Sequence, residues 1–226
     1  MNQDPIERIR GGLIVSCQAR EDSPLCGPTF MTAMARCAEI GGAVGIRANT
    51  PPNIWAIKDA VRIPVIGIYK IVCTDSEAYI TPTFEAAMEI AEAGADIIAV
   101  DATLRPHAKG LSAGELIAQI RKLRLPVMAD VSTLEEGVAA EQAGADIVAT
   151  TMSGYTSYSR QLDGPDFQLI SELVQSVRVP IIAEGRIWTP DEARKAIDLG
   201  AHAVVVGTAI TRPEIIAERF AEALTE

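Results

Sequence analysis

Arg62-Ile63-Pro64-Val65-Ile66, Arg124-Leu125-Pro126-Val127-Met128 and Arg178-Val179-Pro180-Ile181-Ile182 are three versions of one phrase, an Arg-x-Pro followed by an apolar run. Lys70, Asp130 and Glu184 come just past those runs. A second phrase alternates with the first: Gly41-Gly42-Ala43-Val44, Gly94-Ala95-Asp96-Ile97, Gly144-Ala145-Asp146-Ile147 and Gly200-Ala201-His202-Ala203. Two interleaved phrases at a spacing of roughly fifty residues mean one two-strand unit used about four times. That predicts an α/β fold, a single (β/α)8 TIM barrel. An open doubly wound sheet is the rival, and the regular quarter repeat disfavours it.

Working outward, apolar runs predict strands over 13–17, 44–46, 65–68, 97–100, 127–129, 147–149, 181–183 and 204–206. Helix signals fall between them. Pro28 opens a helix that stops at Gly41-Gly42. Thr83 caps the next but one. Thr133 and Glu136 have capping-box spacing, and Thr189-Pro190 puts proline in a first helical turn. Eight helices follow eight strands, with a short helix leading near Pro5 to Arg10. Strands alternating with helices run parallel through right-handed crossovers. No linker or composition shift divides the chain, so residues 1–226 are expected to be one catalytic domain.

The 226 residues are 48% hydrophobic and only 4% aromatic, so the core is built from Ala, Val, Ile and Leu. The net charge of −10, without a Lys/Arg cluster, argues against nucleic acid as a partner. Four cysteines without a Cys-x-x-Cys pair, and only two histidines, argue against a zinc site and for reduced thiols. No cofactor or metal signature appears. Met1 to Arg10 is polar, and no apolar run reaches membrane-spanning length. A cytoplasmic protein acting on a small molecule, away from membranes, is expected.

Barrels of this kind work at the C-terminal ends of their strands. The residues there are Gln18, Arg47, Lys70, Asp101, Asp130, Thr150 with Thr151, Glu184, and Gly207-Thr208. Polar groups are cheap at a wet rim, but seven converging on one axis point to a site. A lysine among carboxylates can have its proton affinity tuned until it serves as base or nucleophile. A carboxylic acid opposite can donate or orient a proton. A salt bridge that merely closes the rim is the competing reading. The stretches Glu184-Gly185-Arg186-Ile187 and Gly207-Thr208-Ala209-Ile210-Thr211-Arg212-Pro213 hold the place where such barrels take phosphate. Gly185, Arg186, Gly207, Thr208 and Arg212 are therefore expected to bind it, Arg212 through its planar donors. Asp101, Thr150 and Tyr155 are expected to complete the substrate pocket. The loop Ser153-Gly154-Tyr155-Thr156-Ser157-Tyr158-Ser159 is too long for a plain connector, and reads either as a lid or as a solvated loop.

In order along the chain, Leu13-Ile14-Val15-Ser16-Cys17-Gln18-Ala19, Gly45-Ile46-Arg47-Ala48-Asn49-Thr50, Gly67-Ile68-Tyr69-Lys70, Met128-Ala129-Asp130, Ala183-Glu184-Gly185 and Ala209-Ile210-Thr211-Arg212-Pro213 resemble the N-acetylmannosamine-6-phosphate 2-epimerase family. The resemblance covers essentially the whole chain. It implies a barrel that interconverts N-acetylmannosamine 6-phosphate and N-acetylglucosamine 6-phosphate in amino-sugar and sialic acid catabolism, and a homodimer. By the same resemblance Lys70 is the catalytic base, Glu184 its acidic partner and Asp130 a support. Gln18 and Arg47 hold substrate, and the loops after strands 7 and 8 take the phosphate. Ile71, after Lys70, departs from the family's pattern, in which a basic residue often follows the lysine.

Two other functions fit the residues. A lysine at a strand end could form a Schiff base, as in an aldolase acting on a sugar phosphate. A binding protein could keep the pocket without turnover.

Overall fold

In the computed structural model, which describes residues 4–74 and 76–225, eight parallel strands close into a barrel in the order β1-β2-β3-β4-β5-β6-β7-β8, with β8 pairing β1. The strands are β1 Leu13–Cys17, β2 Gly45–Asn49, β3 Val65–Ile68, β4 Ile97–Asp101, β5 Val127–Asp130, β6 Ile147–Ala149, β7 Ile181–Glu184 and β8 Ala203–Val206. The helices are α1 Pro5–Arg8, α2 Pro28–Ile40, α3 Pro51–Ala60, α4 Phe84–Glu92, α5 Ala113–Ile120, α6 Leu134–Ala143, α7 Phe167–Ser176, α8 Pro190–Asp198, α9 Thr208–Thr211 and α10 Pro213–Ala223. Met1 to Gln3 of the polar N-terminal stretch lie outside the described residues. The expected barrel is the observed one.

Period-two alternation divides each strand between two cores. Ile14, Ile66, Ile68, Ile97, Met128, Ile147, Ile182 and Val205 point into the barrel and pack with Ile9 at its floor. Val15, Ile46, Val65, Ile98, Val127, Val148 and Ile181 point outward against the helices. Fully burying one such aliphatic side chain contributes about 1.5–3 kcal/mol. The same parity, carried one step toward the rim, turns Arg47, Lys70, Asp130 and Glu184 inward.

Four predicted strands stop too early. Arg47, Asp101, Asp130 and Glu184 belong to β2, β4, β5 and β7. Asp101 pairs with Asp130 in the ladder and Glu184 with Val205. A ladder needs only backbone N–H and C=O groups, so it continues past the point where apolar side chains end. Two further features differ from expectation. β8 is followed by two helices, the four-residue α9 and then α10. The chain beyond β3 doubles back, so that Lys70 and Ile80 form an isolated antiparallel bridge.

The predicted caps are present. Thr133 Oγ1 accepts a hydrogen bond from Glu136 N, and Glu136 returns one to the cap backbone. Ser112 with Glu115 and Thr189 with Glu192 do the same. All four cysteines are free thiols.

Candidate active site

A cavity of about 870 Å³ opens at the C-terminal end of the barrel. Lys70, Arg47, Glu184, Gln18, Thr151 and Tyr155 line it, as do Gly185, Arg186, Gly207, Thr208 and Arg212. Most of the expected site residues therefore converge on one space. Asp101, Asp130 and Thr150 do not line it.

The cavity floor is an ion network. Arg47 crosses the barrel from β2 with 1% of its side chain exposed. It donates from Nη1 to Asp130 Oδ1 at 3.0 Å and from Nη2 to Asp130 Oδ2 at 2.5 Å. Nη1 also donates to Glu184 Oε2 at 2.5 Å. Thr151 Oγ1 donates to Asp130 Oδ1 at 2.6 Å, which ties β6 into the same cluster. A buried guanidinium gripped by two carboxylates is fixed in position, because losing either contact would strand a charge in a poorly solvated place. Burial opposes the charge on Arg47, but Asp130 and Glu184 overcome it and hold the guanidinium charged. Arg47 Nε, buried, has no hydrogen-bond partner among the described residues.

Lys70 comes from just past β3. Its backbone is held by Asn49 Oδ1, which accepts from Lys70 N at 2.9 Å, and by the bridge to Ile80. No hydrogen bond or ion pair engages its amine among the described residues. Solvent reaches Lys70 through the cavity mouth, while protein surrounds its other sides. Burial, joined by the positive charge of Arg47 and opposed by Glu184 and Asp130, holds the amine below the ordinary lysine range. Glu184 moves the other way. Burial, helped by Asp130 and opposed by Arg47, lifts its carboxyl above the ordinary carboxylate range. The network thus lowers the proton affinity of the amine and raises that of the carboxyl, the direction that eases proton transfer by a base and an acid sharing one site.

At the other end of the cavity Gly207 and Thr208 bring the first N–H groups of α9 to its wall, where such groups lack helical partners. Arg212 joins them, its Nε donating to Glu214 Oε1 at 2.9 Å and its terminal nitrogens left over. Gly185 has φ +113° and Arg186 has φ +55°, an unusual pair of left-handed residues after β7.

Several residues sit otherwise than expected. Asp101 is fully buried beneath the rim, where Oδ1 accepts from Thr103 N and Oγ1, and Oδ2 accepts from Arg105 Nη2 at 2.5 Å. Thr150 bridges β6 and β7, donating to Glu184 O at 2.9 Å and accepting from Glu184 N at 3.0 Å. Arg186 lines the cavity, but its guanidinium is committed: Nη1 donates to Ser153 O at 2.5 Å and Nε to Gly164 O at 2.8 Å. That clamp reaches both ends of the loop after β6. The loop is half anchored: Ser153, Thr156 and Ser159 are buried, while Tyr155, Ser157 and Tyr158 between them are exposed. Thr156 Oγ1 donates to Ser132 Oγ, and Tyr158 OH donates to Glu136 Oε1. Glu136 is the hub, accepting also from Leu104 N, Ser132 N and Thr133 N.

Residues missed by sequence reasoning also line the cavity: Ser16, Asn49, Tyr79, Trp188 and Thr211. Parity along β1 and β2 could have shown Ser16 and Asn49, two residues from Gln18 and Arg47. Nothing in the sequence marks Tyr79 or Trp188, which arrive on loops. His107, buried beside Asp101, and His202, near the floor with Ile6 O, stay outside the cavity. Among the described residues no His, Cys, Asp and Glu cluster could hold a metal ion, and no helix is long and apolar enough to cross a membrane.

A family model described as "Putative N-acetylmannosamine-6-phosphate epimerase" matches residues 31–226. A protein of Caldanaerobacter subterraneus subsp. tengcongensis named "Putative N-acetylmannosamine-6-phosphate 2-epimerase" is 54% identical, over 100% of this chain and 96% of its own. One of the same name from Cutibacterium acnes is 48% identical, over 97% and 96%. The solved structure of the N-acetylmannosamine-6-phosphate 2-epimerase from Clostridium perfringens matches with a TM-score of 0.96 at 46% identity, covering 99% of this chain and 97% of that one. A thiamine phosphate pyrophosphorylase from Pyrococcus furiosus, at 19% identity and a TM-score of 0.61, shares the fold alone.

Proposed function

The chain belongs to the N-acetylmannosamine-6-phosphate 2-epimerase family, and from that membership and the cavity we propose how it acts. It is a carbohydrate epimerase that interconverts N-acetylmannosamine 6-phosphate and N-acetylglucosamine 6-phosphate. The observation that carries the reading is the Lys70 amine, unpartnered among the described residues, in one cavity with the Arg47–Asp130–Glu184 network.

The two sugars differ only at C2, next to the C1 carbonyl of the open-chain form. Inversion therefore removes the C2 proton from one face and returns a proton to the other. The neutral amine of Lys70 takes that proton, and the electron pair of the C2–H bond moves into the C1 carbonyl to give an enolate. Arg47, at the cavity floor, offers its remaining N–H and its charge to the enolate oxygen. Glu184, whose Oε2 meets Arg47 and whose Oε1 has no hydrogen-bond partner among the described residues, delivers a proton in its protonated form to the opposite face of C2. The enzyme is left with Lys70 charged and Glu184 ionised, the form that runs the reverse reaction, and solvent exchange restores the first form.

Gly207, Thr208, Arg212 and the N–H groups of Gly185 and Arg186 take the phosphate, and Gln18 and Tyr155 meet the sugar. Asp130 holds Arg47 in place. Asp101 and Thr150 act as braces behind the wall rather than as ligands. No redox cofactor or metal takes part in these steps. A homodimer, a cytoplasmic location and a place in sialic acid catabolism extend the same reading, and sedimentation of the purified protein tests the first. The reaction itself is tested by incubating each sugar phosphate with the protein in deuterated water. NMR should show conversion of both, with deuterium entering C2. Cleavage without C2 exchange, or binding without either, would replace this reading with an aldolase or a binding protein.

A further inference from the structure

We propose that Tyr79 and Tyr155 form the subsite for the C2 acyl group, and so decide which N-acyl amino-sugar phosphates the enzyme accepts; this rests on the epimerase reading above. With the phosphate at Gly207, Thr208 and Arg212 and C2 at Lys70, the sugar chain is laid out from C6 to C2. The acylamino group on C2 then lies on the Lys70 side of the cavity. Its methyl is the one apolar group of the substrate and needs an apolar wall. Ile80, which bridges Lys70, supplies the start of one, and Tyr79 is next to it in the chain. Met152 and Tyr155 complete it from the loop after β6.

Two features single out the tyrosines. Each ring is backed by an arginine that is itself immobilised. Arg105 Cζ lies 5.6 Å from the Tyr79 ring centroid and is anchored on Asp101 and Thr103. Arg186 Cζ lies 5.9 Å from the Tyr155 ring centroid and is anchored on Ser153 O and Gly164 O. Guanidinium–ring contacts of that length are attractive and hold the rings in place. The second feature is the hydroxyls. Tyr158 OH is hydrogen-bonded to Glu136, whereas neither Tyr79 OH nor Tyr155 OH has a hydrogen-bond partner among the described residues. Two free donors beside an apolar wall suit an amide, whose carbonyl oxygen accepts while its alkyl part packs on the rings.

The test compares N-acetyl- and N-butanoylmannosamine 6-phosphate as substrates. The two extra methylenes of the butanoyl group against the wall should cost the wild type about tenfold or more in kcat/KM. Tyr155→Ala should narrow that preference at least fivefold, mainly by raising KM for the acetyl compound, with inhibition by inorganic phosphate changed less than twofold. Tyr79→Leu supplies a second variant, should one of the two fail to fold. An unchanged acyl preference in the folded variants would overturn the subsite while leaving the epimerase reading intact. A wild type that epimerises neither compound would remove the reading beneath it.

Discussion

Asp130→Asn is the perturbation that separates a brace from a ligand, because Asp130 is fully buried and does not line the cavity. The amide keeps one acceptor, but its NH₂ must face either Arg47 or the Thr151 hydroxyl, both donors in the native network. Breaking one side of a buried pair costs about 3–5 kcal/mol. Glu184 still holds Arg47 at 2.5 Å, so the lower end applies, about 3 kcal/mol. For a chain of this size that lowers Tm by about 6–12 °C. The kinetic effect has a sign of its own. Asp130 raises the proton affinity of both Lys70 and Glu184. Without its charge both groups release protons more readily, so both limbs of the pH profile of kcat/KM move to lower pH. Calorimetry and a pH series on wild type and variant give the two readouts. A Tm within about 2 °C of wild type, or limbs that stay still or move to higher pH, would refute the reasoning.

Other outcomes follow from the same geometry. The wild-type kcat/KM should be bell-shaped, its limbs falling between the ordinary Glu value of 4.5 and the ordinary Lys value of 10.5; a profile flat across that interval would contradict the roles of Lys70 and Glu184. Borohydride added during turnover should trap no covalent adduct on Lys70 by mass analysis, and an adduct would favour the Schiff-base reading. Gly137→Ala, usually favourable in a helix, should here cost about 1–3 kcal/mol in denaturant unfolding, because the new methyl meets Leu173 Cδ2 across the α6–α7 contact. Gly154→Ala should raise KM, since its φ of +81° disfavours a side chain and the added methyl meets the Arg186 guanidinium that clamps the loop.

Eight strands and the rim residues were legible because two short phrases repeat and each apolar run ends in a polar group. The runs undercounted β2, β4, β5 and β7 by their last residues, since polar side chains pair their backbones as well as apolar ones. Lys70, Arg47 and Glu184 were placed correctly in the cavity by strand order alone. Asp101 and Thr150 look the same in sequence, yet they lie behind the wall, because which rim residue is sealed depends on neighbours such as Arg105 that loops bring in. The clamp by Arg186 depends on a left-handed φ at a non-glycine residue, which no sequence pattern announces. Tyr79 and Trp188 reach the cavity on connections whose course is set by tertiary packing. The motifs that resemble the family point to the reaction, and the family model and relatives agree with it.

One measurement bears most directly on Lys70 as the base. Lys70→Ala, confirmed as folded by circular dichroism, is incubated with N-acetylmannosamine 6-phosphate in deuterated water, and the C2 proton signal is followed by NMR beside the wild type. The account predicts steady loss of that signal with the wild type and none with the variant. Washout at C2 by the variant at a rate near that of the wild type would contradict it.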